Sequence, residues 1–154
     1  MTERRMDLSE TTPELYRAMR ELELSIQREL ERVGVEPEVY ELVKIRASQL
    51  NGCAFCLDMH LTDSRRLGIA QQRLDVLPAW REVAVYSERE RAALELAEAI
   101  TLVGESHVDD EVWRRVREVL SEPEAAALTW AATGINTWNR LAITSRAQPP
   151  ERRE

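Results

Sequence analysis

An all-α helical bundle is the fold class this sequence predicts, on three observations. Apolar residues recur every three or four positions through most of the chain, capping signatures punctuate those runs, and no comparable segment alternates with the period of two that a strand requires. At 154 residues the chain suits one domain, long enough to bury about two thirds of its unfolded surface.

The elements follow in order. Residues 1–12 read as an N-terminal arm, and the domain as 13–146. After Pro13, the stripe Leu15, Met19, Leu22, Ile26, Leu30 and Val33 makes an amphipathic helix that Gly34 ends. Pro37 suits the first turn of a second helix, which runs through Leu42, Ile45 and Leu50 to a turn at Asn51-Gly52, residues that tolerate a left-handed backbone. A third helix carries Cys53, Cys56 and His60 and stops near Gly68. Ala70 to Ala84 is less regular, because Pro78 and Trp80 interrupt it, with room for a short helix over Arg73 to Leu77. Ser87 and Glu90 form a capping box ahead of Ala93, Leu96, Ala97, Ile100 and Val103, up to Gly104. Val112, Val116, Val119 and Leu120 mark another helix after Asp109-Asp110. Ser121 and Glu124 cap the last one, Ala125 to Ile143, which is mostly apolar. Alanine-rich stretches at 92–99 and 125–132 permit close helix approach, and Trp113, Trp130 and Trp138 offer large packing surfaces, some of them for a subunit interface. The tail, 147–154, combines prolines and charges with nothing to bury and is expected to be flexible.

Composition narrows the function. With 21 basic and 28 acidic groups the net charge is −7, which offers nucleic acid no broad positive surface. No segment approaches 18 uninterrupted apolar residues and the N-terminus lacks a signal-like apolar run, so no membrane partner and a cytoplasmic location are expected. In that reducing compartment a Cys-x-x-Cys pair points to catalysis, redox sensing or metal binding rather than a permanent bridge. A bond closing only four residues would also constrain the unfolded chain very little.

Both cysteines lie in Asn51-Gly-Cys-Ala-Phe-Cys-Leu-Asp-Met-His60. Residues three or four apart share one helix face, so Cys53, Cys56 and His60 form a single line of side chains at the start of a helix, where free N–H groups favour a thiolate. Thiolate formation alone is insufficient: taking a pKa of about 8.5 down to about 6 enlarges the reactive fraction at pH 7 by at most roughly 30-fold. Reducing a peroxide also requires a proton for the departing oxygen, and His60, one turn beyond Cys56, is placed to hold the thiol proton and return it. A carboxylate would orient that imidazole. Asp58 points away and Asp63 is the local alternative, while Glu41 is the choice if the preceding helix returns it beside His60 across the Asn-Gly turn.

Rival readings remain open for these residues. The cysteines could be ordinary buried thiols, or Cys53, Cys56 and His60 could be three zinc ligands, although no obvious fourth follows in sequence. No metal or cofactor is therefore predicted. His107 reads as a cap or surface residue, and Lys44 and Arg46 as partners of glutamates. Asn136, Trp138, Asn139 and Arg140 read as packing and capping residues, with an interface or a brace for the site helix as the alternative. A non-redox lyase using His60 and Glu41, and a sensor whose thiols only report oxidation, are the competing functions.

The segment Glu41-Leu-Val-Lys-Ile-Arg-Ala-Ser-Gln-Leu-Asn-Gly-Cys-Ala-Phe-Cys-Leu-Asp-Met-His60, with Ile135-Asn-Thr-Trp-Asn-Arg140, resembles the alkylhydroperoxidase AhpD-like, carboxymuconolactone decarboxylase superfamily over about residues 15–145. The resemblance implies an AhpD-like helical bundle that is an obligate homo-oligomer, a trimer or hexamer, with its redox centre near subunit contacts. It implies a thiol-dependent hydroperoxide reductase in which Cys56 attacks, Cys53 resolves the sulfenic acid to a disulfide, and His60 with Glu41 relays protons. The partners would be a hydroperoxide substrate and an external dithiol or disulfide-reductase donor. Some members carry a second histidine just before the later cysteine and are served by a lipoyl-bearing protein; this chain has Phe55 there. The decarboxylase branch does not depend on the cysteine pair, so two thiols favour the peroxidase reading.

Overall fold

A computed structural model describes residues 3–151, and every regular element among them is helical. The order is α1 (Leu8–Thr11), α2 (Pro13–Arg32), α3 (Pro37–Asn51), α4 (Ala54–Arg66), α5 (Gln71–Asp75), a 3₁₀ segment (Leu77–Glu82), α6 (Glu88–Thr101), α7 (Val103–Ser106), α8 (Asp110–Val119) and α9 (Glu122–Ser145). None of these helices is long and apolar enough to cross a membrane.

Helix α3 is the axis of the bundle. It packs against α4, α6 and α9 and buries Val39 through Ile45 together with Ala47 and Ser48, charged Glu41 and Lys44 included. Its far side joins a core with Ile69, Leu74, Leu77, Trp80, Tyr86 and Leu94, and the rest meets a larger core built from α2, α6, α8 and α9. The alanines of α6 and α9 let those two backbones approach, and Gly134 does the same for α2: a Cβ there would lie 3.0 Å from Ile26 Cδ1.

Local chemistry sets the helix ends. In the box at α6 the Glu90 N–H donates to Ser87 Oγ (3.2 Å) and the Ser87 N–H to Glu90 Oε2 (2.8 Å). Ser121 and Glu124 exchange the same pair at α9 (3.4 and 2.7 Å). Each box satisfies two end amides that would otherwise lack partners. Gly52, at φ 68°, ends α3, and the Cys53 N–H donates back to Ser48 O at 3.0 Å. Cys53 is at once the N-cap of α4, so the chain reverses between two helices with no loop to spare.

Several expectations differ from the structure. Of the α2 stripe, Ile26 and Leu30 are buried, while Leu15 (71%) and Leu22 (38%) are exposed. Of the tryptophans read as core or interface surfaces, Trp113 (39%) and Trp130 (58%) lie open on the protomer. The buried tryptophan is Trp80, in the irregular stretch, where α5 precedes the 3₁₀ segment. Helix α6 stops at Thr101, since Leu102 leaves helical geometry, and Val103–Ser106 form a separate turn. Within residues 1–12 the Arg5 N–H donates to Ser145 O at 3.0 Å, and α1 is formed. Ala147 to Glu151 form no regular element, and the remainder of the expected tail, 152–154, falls outside the described residues.

Candidate active site

Cys53 and Cys56 are joined as a disulfide with their Cα atoms 5.4 Å apart, a separation natural to an i,i+3 pair at a helix start. Cys53 Sγ also accepts the Cys56 backbone N–H at 3.3 Å, so the sulfur itself caps α4. Both are buried, yet their surroundings differ. Cys56 and His60 line an apolar cavity of about 370 Å³, closed by Leu8, Tyr16, Leu24, Phe55, Met59, Trp138, Leu141 and Ala142 with Arg20 and Glu23; Cys53 does not reach it.

Behind His60 lies a buried chain of charge. Glu41 Oε2 stands 3.2 Å from His60 Nδ1, and Glu41 Oε1 accepts from Lys44 Nζ at 2.6 Å. The Nδ1 contact is close enough for an ion pair but off-line for a hydrogen bond, and neither atom has another partner. Burial acts to raise the Glu41 carboxyl, but the contacts with His60 and Lys44 outweigh it and hold the group below its ordinary range, as a carboxylate. Lys44 in turn stacks over the Tyr40 ring, 4.0 Å from its centroid. Burial and the nearby Glu23 carboxylate push the Tyr40 phenol far upward, so it remains a donor to Glu23. Glu41 and Lys44 also line a second, more polar cavity of about 560 Å³ with Glu31, Asp63 and Arg66.

The turn bearing the cysteines is braced from α9. The Asn51 amide donates to Asn136 Oδ1 and Asn139 Oδ1, both at 2.9 Å, and Asn139 Nδ2 donates to Ser48 Oγ at 3.0 Å. Asn139 is fully enclosed, and Arg140 donates to Asn136 Oδ1 at 2.9 Å. Asn136 and Asn139 therefore brace the C-terminal end of α3, from which the chain turns into the cysteine-bearing helix, while Trp138 faces the cavity and donates to Glu23 Oε2 at 3.3 Å.

The structure thus brings Cys53, Cys56, His60 and Glu41 together. Asp63 pairs with Arg66 at 3.2 Å instead of His60, and His107 is exposed in the α7–α8 connection. Arg46 pairs with Glu98 at 2.7 Å. No group of three His, Cys, Asp or Glu among the described residues converges to hold a metal ion, which leaves the zinc alternative without a ligand set there. Sequence reasoning missed the α2 wall of the cavity. Tyr16, Arg20, Glu23 and Leu24 lie at successive turns of one face, a polar and aromatic stripe beside the apolar one that could have revealed it.

The Carboxymuconolactone decarboxylase family model matches residues 13–99, and the protein YdfG of Bacillus subtilis strain 168, itself uncharacterized, is 42% identical over 139 residues, 90% of this chain and 92% of its own. The chain belongs to the AhpD-like/carboxymuconolactone decarboxylase superfamily. Within that superfamily, a crystal structure of a protein of unknown function from Agrobacterium tumefaciens, named as a candidate antioxidant defence protein AhpD, superposes with a TM-score of 0.91 at 37% identity, covering 97% of this chain and 100% of that one. A peroxidase-related protein from Ralstonia eutropha JMP134, described as an alkylhydroperoxidase AhpD core, shares the fold at a TM-score of 0.80, with 19% identity and coverage of 93% and 74%. The AhpD-like helical bundle is therefore the fold of this chain.

Proposed function

We propose that this member of the superfamily is a thiol-dependent hydroperoxide reductase. The observation that carries the reading is the asymmetry of the pair: Cys56 opens with His60 onto an apolar cavity, and Cys53, bonded to it, lies behind. In the reduced protein the Cys56 thiolate attacks the terminal peroxide oxygen and the O–O bond breaks. The departing alkoxide takes a proton from His60 and leaves as an alcohol, with Cys56 as sulfenic acid. Cys53 then attacks that sulfur, forming the disulfide and releasing water, and an external dithiol or disulfide reductase restores both thiols. Glu41 orients the His60 ring and steadies its charge. The name given to the 37%-identical A. tumefaciens structure supports an antioxidant role. Exposed Leu15 and Trp130 favour assembly into a homo-oligomer, a trimer or hexamer, and a cytoplasmic site suits a cycling disulfide.

Stopped-flow titration of the fully reduced protein with an organic hydroperoxide tests the half-reaction directly. One equivalent per subunit should remove both thiols in a fast phase and yield one equivalent of alcohol. Slow loss at the rate of free cysteine would refute the reading. The family's name favours a second possibility, acid–base lyase chemistry at His60 and Glu41. In that case activity on a lactone substrate would survive replacement of both cysteines.

Lys44 gives a further expected outcome. Its cation is one of the contacts that hold the Glu41 carboxyl below its ordinary range, so Lys44→Met lets that carboxyl keep its proton to higher pH, where it no longer supports His60. The acidic limb of the thiol-oxidation rate should move up by about one pH unit, and Lys44→Arg should restore it. An unmoved limb in a folded Lys44→Met protein would remove Lys44 from the relay.

A further inference from the structure

We propose that the cavity beside Cys56 is built for an organic hydroperoxide bearing a carboxylate, which Arg20 receives at the rim. This rests on the hydroperoxidase reading and names the class of substrate that the site would take.

The cavity wall is almost entirely apolar, with aromatic rings from Tyr16, Phe55 and Trp138. Such a wall offers nothing to hydrogen peroxide and much to a hydrocarbon body. At about 370 Å³ it suits a compact organic molecule. One arginine lines it, Arg20, and no lysine. Among the described residues the arginine side chains reach an acceptor almost without exception; Arg20 and Arg146 alone do not, and Arg20 lines the cavity of Cys56 and His60. Glu23, three residues on, makes no ion pair with it: one carboxylate oxygen accepts from the Tyr40 hydroxyl and the other from the Trp138 indole, which hold that carboxylate against the cavity wall and away from the guanidinium. In a chain of net charge −7 an unpaired guanidinium at the mouth of an apolar pocket is a local exception, and its planar fork matches a carboxylate. Tyr16 and Leu24 lie one turn to either side of Arg20, so the cation is flanked by the surfaces that would hold the hydrocarbon.

The matched probes are 4-(2-hydroperoxypropan-2-yl)benzoate and its methyl ester, which share one O–O bond and one apolar body. Each is converted to its tertiary alcohol as two protein thiols become a disulfide and one water is released. Thiol loss of the reduced wild-type protein, at low salt and limiting peroxide, should be about three- to fivefold faster with the acid, the modest range expected of an exposed ion pair. Raising the ionic strength should shrink that preference. Arg20→Gln should slow the acid about three- to fivefold more than the ester, so that the two rates converge. Equal wild-type rates for the two, or equal slowing of both by Arg20→Gln, would overturn the Arg20 assignment while leaving the hydroperoxidase intact. Failure of both peroxides to oxidise the wild-type thiols would instead bring down the hydroperoxidase reading, and this inference with it.

Discussion

Cys56→Ser is expected to abolish the fast reaction with hydroperoxide, whereas Cys53→Ser should keep it and stop at a sulfenic acid on Cys56. The two sulfurs share a bond but not an environment. Cys56 lines the cavity with His60; Cys53 is enclosed and spends its sulfur on the Cys56 backbone N–H as the cap of α4. A peroxide entering the cavity therefore meets Cys56 first, and the sulfenic acid formed there lies within reach of Cys53 with no rearrangement of the helix. His60→Ala should slow the step by about 10²- to 10⁴-fold, the range that a positioned acid–base group contributes. In that variant Glu41 still holds Lys44, so a structural collapse is not expected. Mass spectrometry of a sulfenic-acid adduct distinguishes the roles: a Cys56 adduct in Cys53→Ser agrees with the assignment. A Cys53 adduct formed at the wild-type rate in Cys56→Ser would reverse it.

Much of this arrangement was legible in the sequence because it is local. The line of Cys53, Cys56 and His60 follows from helical spacing, the reversal from Asn51-Gly52, and two helix starts from the boxes at Ser87 and Ser121. What was not legible depends on partners distant in sequence. Trp80 looked like an interruption, yet its indole N–H donates to Glu98 across 18 residues and its ring fills the core beneath α3. Trp130 fitted either a core or an interface; the rotation of α9 leaves it exposed on the protomer, and no spacing rule fixes that rotation. Glu41 stood between the two cases: its place beside His60 required α3 to return across one turn, and the tight Gly52 cap allows it. Lys44 was read as a salt-bridge residue, but its burial beside Glu41 is set by the helices packed around α3.

Glu98→Ala is the substitution expected to cost the most stability, about 3–5 kcal/mol. Glu98 sits on α6 and gathers three donors: Arg46 of α3 at 2.7 Å, the Trp80 indole at 2.8 Å and Arg81 of the 3₁₀ segment. Arg46 and Glu98 are each largely enclosed, with 14% and 12% of their side chains exposed. Removing the carboxylate leaves the Arg46 Nε–H and the Trp80 indole N–H without an acceptor, although Arg46 keeps its bond to Gln49 Oε1 at 3.1 Å, and that penalty exceeds the worth of the lost contacts. Glu98→Gln keeps one acceptor oxygen and should cost less, which separates the charge from the hydrogen bonds. Urea unfolding should show a lowered midpoint with an unchanged slope. The pH dependence has a definite sign. Burial acts to raise the Glu98 carboxyl, but the Trp80, Arg81 and Arg46 donors prevail and hold it below its ordinary range. A depressed folded value gives stability that is complete above the unfolded value of about 4.3 and is lost as pH falls through the folded one. The gap between wild type and Glu98→Ala should therefore be full at neutral pH and close in acid. A gap that persisted unchanged well below pH 4 would mean that the packing of Trp80, not the carboxylate, ties α3 to the 3₁₀ segment.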